Sequence, residues 1–361
     1  MNTASSFSGR FATNLLIVCL LSLTVYVGRS ILIPLGFAVM LAMLLLPVVK
    51  WLVRKGIPDI VASILAILIA IIFVAGILYF LSAQIAGFME DLPAIKEKLQ
   101  QHWTSFQNWV NETFNLSKEQ QDQAVESAKQ NVQSSGTGSM GTVVTGFASG
   151  LMTMILLPIY TFLILFYRKL IHQFLVEVFP SGERKKVEEV LEESNTIVRA
   201  YMIGLLIEML IVTILNAVGF FIIGIQYAIF LAVLAAVLNL IPYIGMLIAS
   251  VFCMAVTLTT SDSSSAIIWT GAILIIVQFI DNNFIMPYIV GSKVRINALV
   301  SIVGVLVGGL LAGLSGMFLS IPVMAIMKVV FDRVDSLTPW GLLLGDTPSK
   351  ERKAKVAKKR G

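Results

Sequence analysis

Two apolar runs in this chain are too long to cross a bilayer once, and each is broken near its middle. The first covers 226–260 and is interrupted by Asn239-Leu-Ile-Pro-Tyr-Ile-Gly245. The second covers 298–330 and is interrupted by Gly308-Gly-Leu-Leu-Ala-Gly-Leu-Ser-Gly316. At about 1.5 Å per residue, a straight helix over the first run would measure about 52 Å, against a hydrocarbon core of about 30 Å. Each run is therefore either a long, kinked crossing or a hairpin that turns back inside the membrane. Between them an apolar helix carries a polar cluster, Gln278-Phe-Ile-Asp-Asn-Asn283.

The rest of the chain agrees with a membrane setting. It is 57% hydrophobic and 13% charged, a composition no soluble globule of this length shares. The runs are continuously apolar rather than alternating, which points to helices and not to a transmembrane barrel. The fold class expected is all-α: about eight membrane segments, two of them possible re-entrant hairpins, plus a small extracytoplasmic helical module. The net charge of +5 comes from the C-terminal tail, where 350–361 hold seven Lys/Arg and one Glu. The body is nearly neutral, so the charge does not argue for nucleic acid. Cys19 and Cys253 lie in apolar runs and read as small hydrophobes. His102 and His172 lie outside them, and no metal or cofactor site is expected. No P-loop, HExxH or GxSxG pattern occurs, so neither ATP-driven transport nor an enzyme is expected.

Residues 1–81 are read as three transmembrane helices, over 11–27, 31–49 and 60–81. Residues 82–141 form a polar module with four Lys and seven Asp/Glu. Its Leu92, Ile95, Leu99, Trp103, Phe106 and Val110 recur at helical spacing. A Gly/Ser joint at 134–141 ends it. Residues 142–341 form the transport core, starting with spans at 143–167 and 201–223, and an amphipathic helix at 181–199 is expected to lie on the cytoplasmic surface. Residues 342–361 are a basic tail. Basic segments mark the cytoplasmic face, which places both termini, the Lys50/Arg54/Lys55 loop and 168–199 inside and the 82–141 module outside. If 226–260 is a hairpin, the Lys293/Arg295 loop also falls inside. The bias thus favours two hairpins entering from opposite faces, with backbone breaks at Pro242, Gly245, Gly313 and Gly316. The alternative is eight plain crossings with Lys293 and Arg295 outside, and Gly308, Gly309, Gly313 and Gly316 can then serve close helix packing at spacings such as Gly304-x-x-x-Gly308 and Gly309-x-x-x-Gly313.

Broken helices beside polar residues at membrane depth are how secondary transporters build a site. Asp281 and Glu208 are the leading ion- or substrate-pathway candidates, because a carboxylate in an apolar helix is costly unless it faces protein or water. Gln278, Asn282 and Asn239 are the polar residues placed to join them. The competing reading sets 281–283 at headgroup level and pairs Glu208 with Arg199 or with a polar group on another helix.

Asn239-Leu-Ile-Pro-Tyr-Ile-Gly245, Gln278-Phe-Ile-Asp-Asn-Asn-Phe-Ile-Met-Pro-Tyr-Ile-Val-Gly291, and Gly308 to Gly316 with Ile321-Pro322 resemble the signature of the autoinducer-2 exporter family of bacterial membrane proteins, the PerM-like permeases. The likeness covers nearly the whole chain. Met246 stands where proline is frequent in the family, and Ile296-Asn-Ala298 lacks its usual proline. The resemblance implies a multi-pass protein of the bacterial inner membrane with about eight segments, assembled as a homo-oligomer, with a pentamer as one form. It also implies export of a small polar solute such as an autoinducer-2-type quorum-sensing signal. Sodium (or lithium)/proton antiport is the alternative, and a non-transporting membrane scaffold binding a partner through 82–141 is a third.

Overall fold

The computed structural model describes residues 7–114, 155–241, 244–261, 264–289 and 296–345. Pro242, the 134–141 joint, the Lys293/Arg295 loop and residues 346–361 of the basic tail lie outside them. The described chain is helical: α1 (Phe7–Arg54), α2 (Asp59–Phe114), α3 (Ile155–Phe166), α4 (Arg168–Glu177), α5 (Arg184–Ile223), α6 (Ala228–Asn239) and α7 (Ile244–Thr260). These are followed by α8 (Ser264–Ile280), a π-helical segment (Asp281–Ile285), α9 (Met286–Ile289), α10 (Ala298–Arg333) and α11 (Thr338–Leu344). Among the described residues, five helices are long and apolar enough to cross a membrane, or six if the pair α3–α4, bent by 65°, is one span.

Three boundaries differ from the sequence reading. The runs at 11–27 and 31–49 share one 48-residue helix, α1. The third run and the apolar stripe of the polar module share the 56-residue α2, so the first half of that module extends a span rather than forming a separate body. The charged segment at 181–199 likewise continues into the fifth run as the 40-residue α5 and is not a separate surface helix. The reason is the same in each case. Once nucleated, a helix propagates until something breaks it, and no proline or glycine cluster falls at 28–31, 82–91 or 199–201. A change from apolar to polar residues marks where solvent begins, not where a helix ends.

Both broken runs fold back on themselves. In the first, α6 and α7 pack together through Leu231, Ala232, Ala235, Ala249, Cys253 and Val256. The Cys253 Sγ reaches the Leu231 carbonyl at 3.9 Å. A Cβ on Gly245 would sit 1.7 Å from the Leu238 carbonyl oxygen, so only glycine lets the two limbs meet at this turn. At 12 and 17 residues, the limbs measure about 18 and 26 Å, each short of a full crossing. In the second run, α10 turns at Ala312 (φ −143°, ψ 18°) and Gly313 (φ 61°, ψ −147°), the latter a conformation essentially confined to glycine. Its limbs then run side by side. A Cβ on Gly304 would fall 2.2 Å from the Met324 sulfur, and one on Gly308 2.1 Å from the Ser320 hydroxyl. One on Gly316 would fall 2.0 Å from the Gly308 carbonyl oxygen. The small-residue spacing therefore serves contact within the hairpin.

The hairpins approach from opposite ends of the bundle. At one end Asp59 accepts two hydrogen bonds from Arg168 at 2.6 and 2.7 Å. There too Arg333, at the close of α10, bridges to Glu189 and Glu193 near the start of α5. The second hairpin both begins and ends at this basic end, because the Asn297 backbone N–H donates to Leu344 at 3.0 Å. The first hairpin starts at the other end, after α5 stops at the left-handed Gly224 (φ 76°). There Tyr227 bonds Asp91 of α2, and Phe88 packs among Tyr227, Phe230 and Phe252. Both hairpins converge on Tyr201 and Leu205 of α5, which pack against Leu240 from the first and Phe318 and Ile321 from the second.

Candidate functional site

The site follows from one face of α5. Tyr201, Leu205, Glu208, Val212, Asn216 and Phe220 are all buried on it, a spacing that keeps them in line along a helix. Packed against this face runs α8, held close by Gly219, where a Cβ would fall 2.6 Å from Ile273. Val212 and Val277 share a cluster, and one turn further along each helix come Glu208 and Asp281. The first hairpin completes the site, because α6 ends at Asn239 just before the turn.

The Asn239 amide nitrogen donates to Asp281 Oδ2 at 3.0 Å and reaches Glu208 Oε1 at 3.5 Å. Glu208 is 5% exposed and Asp281 2% exposed. The second oxygens, Glu208 Oε2 and Asp281 Oδ1, are buried without a partner. One amide thus holds two carboxylates, and each keeps one oxygen free inside the protein. Among the described residues, no Lys or Arg forms an ion pair with either. Two carboxylates that share one amide donor and have no cationic partner repel one another when both are ionised. An added positive charge would stabilise this arrangement. No group of three or more His, Cys, Asp or Glu side chains with metal-site spacing occurs among the described residues.

Asp281 opens the π-helical segment. Such one-turn widenings recur at functional sites because they re-aim side chains against their neighbours. Asp281 and Ile285 turn inward here, while Asn282, Asn283 and Phe284 turn outward. Gln278 bonds Asn282 at 3.0 Å on that outer side. Of the candidate residues read from the sequence, Glu208, Asn239 and Asp281 come together. Gln278 and Asn282 pair away from them. Gly245 closes the turn behind Asn239, whereas Gly313 and Gly316 shape the other hairpin. Arg199 is not bonded to Glu208. Two polar features escaped sequence reasoning: Asn216, wholly buried with neither amide atom partnered, and the Thr270–Thr257 hydroxyl pair at 3.3 Å. Their residue types are common in membrane helices, and only the packing singles them out.

The model of the AI-2E family transporter matches residues 15–336. The chain belongs to the AI-2E transporter family. It is similar to the putative transport protein YrrI of Bacillus subtilis, at 25% identity over 84% of this chain and 86% of that protein. It is similar to the putative transport protein YhhT of Escherichia coli at 24% identity, over 91% and 92% of the two chains. The putative permease PerM of Escherichia coli matches at 26% identity over 49% of this chain and 50% of its own. An AI-2E family protein with these helices is a multi-pass membrane protein of a transporter class. The residues that form the paired-carboxylate site all fall within the matched region.

Proposed function

We propose that this chain is a cation-coupled secondary transporter of the bacterial inner membrane, with Glu208, Asn239 and Asp281 as the site that takes up and releases a proton or a sodium ion. The observation that carries this reading is the buried carboxylate pair, bridged by one amide and left with one unpartnered oxygen on each side. Its position supports the role. It lies where the tip of one hairpin meets the middle of α5, and the second hairpin packs on α5 a turn away. Opposed hairpins of this kind give each side of the membrane a separate route to one site.

The coupling reading favours exchange of sodium or lithium for protons. A second reading, export of a small polar solute of the autoinducer-2 type, is supported by the family's description. In it the same site supplies the coupling ion. Basic segments gathered at one end support a cytoplasmic position for the Lys50/Arg54/Lys55 turn and for the end of α11. Because α1 is one continuous helix that closes at that end, this reading puts its start on the opposite face, not in the cytoplasm as expected from two separate crossings. Assembly as a homo-oligomer accords with spans that bury no more than 28% of their most apolar window within one chain.

The test is a proteoliposome loaded with a pH-sensitive dye at acidic pH. External sodium or lithium is expected to raise the internal pH, and potassium is not. No cation-dependent pH change in vesicles that contain inserted protein would remove the exchange reading. In that case, comparing extracellular metabolites between cells with and without the protein tests the export reading.

A further inference from the structure

We infer that the cleft between the end of α1 and the start of α5 is a binding site for an anionic phospholipid of the phosphatidylglycerol type. Two cavities of about 230 and 360 Å³ adjoin here, sharing Asn195 and Arg199 in their walls. Each is near the size range of small-molecule sites. The polar part gathers Lys50, Arg54 and Arg199 with no acidic residue in its lining. None of the three forms an ion pair among the described residues, in contrast to Arg168 and Arg333, which do. Three cations held together without a counter-charge repel one another, and an anion in the cleft relieves this.

The donor set identifies the anion. Two guanidinium groups offer paired N–H donors that match phosphate oxygens, and the lysine adds a point charge. Asn195 Oδ1 is a buried acceptor without a donor. A phosphodiester group by itself supplies only acceptors, whereas the glycerol of a phosphatidylglycerol headgroup also brings hydroxyls that donate. The cleft does not end at the charges. Its second half runs along α5 past Ile203 and Ile207 to Ile289 of α9, an apolar trough suited to an acyl chain. Trp51, 58% exposed at the rim, is placed where tryptophan settles at the headgroup level of a bilayer. Polar head and apolar trough together describe an amphiphile rather than a free anion.

Trp51 provides the readout. The purified full-length protein is mixed with micelles containing brominated phosphatidylglycerol or brominated phosphatidylcholine, and tryptophan quenching is followed. The Trp51→Phe variant gives the signal of the other four tryptophans, which is subtracted. Quenching by phosphatidylglycerol is expected at roughly tenfold lower lipid fraction than by phosphatidylcholine, as charge-assisted hydrogen bonds to two guanidinium groups imply. Arg54→Gln with Arg199→Gln is expected to erase the difference, and Arg54→Lys with Arg199→Lys to retain most of it, which separates loss of charge from loss of folding. Equal quenching by the two lipids, or a preference untouched by the glutamine pair, would overturn the proposal. Displacement of the excess quenching by millimolar glycerol phosphate or inorganic phosphate would also overturn it, by assigning the cleft to a soluble phosphate compound.

Discussion

Asp281→Asn is expected to bring sodium-dependent proton flux in proteoliposomes down to the level of protein-free vesicles. The substitution keeps the size of the side chain and its acceptor for the Asn239 amide. It removes the charge and the proton-binding oxygen. Glu208→Gln is expected to do the same from the other side of the bridge. Both variants should insert, purify as single species and keep at least the melting temperature of the parent, because each removes a buried carboxylate that has no cationic partner among the described residues. Flux at the parental rate in both variants would take this pair out of the transport path.

The second large effect is structural. Gly316→Val is expected to destabilise the protein by roughly 3 kcal/mol, at the upper end of overpacking costs. The obstruction is the Gly308 carbonyl, 2.0 Å from where the Cβ must go. A flexible side chain can swing aside, as the Met317 side chain can at Gly309, but backbone cannot move without separating the limbs. The expected readout is a lower melting temperature and a broader profile in size-exclusion chromatography, with Gly309→Ala much milder. Equal behaviour of the two variants would mean that the limbs of α10 do not pack through Gly308 and Gly316.

The hairpins were legible in the sequence because their signal is one of length against a fixed bilayer thickness. Gly313 and Gly245 then marked the turns, since each sits where another residue type is excluded. The carboxylates were legible one at a time, as charges in apolar helices. Their association was not, because Asn239 lies 31 and 42 residues from its partners, and only packing of α6 and α8 on α5 brings the three together. Gln278 and Asn282 show the converse. Being close in sequence to Asp281 put them on the same list, yet widening of the helix at Asp281 leaves them on its outer side. The helix ends were misplaced wherever polarity changed without a breaker, as at 82–91 and 199–201. The cleft at Lys50, Arg54 and Arg199 draws on two segments far apart in the chain, so no local pattern announced it.

Proton release on cation binding tests the central claim most directly. Purified protein in weakly buffered detergent solution is titrated with sodium or lithium chloride while the pH is recorded. The account predicts about one proton released per cation bound, because both compete for the oxygens of Glu208 and Asp281. By linkage, the apparent sodium affinity should then weaken by about tenfold for each unit of pH decrease where the two compete. The release should vanish in the Glu208→Gln, Asp281→Asn double variant. No release from the parent protein, or the same release from the double variant, would contradict the account.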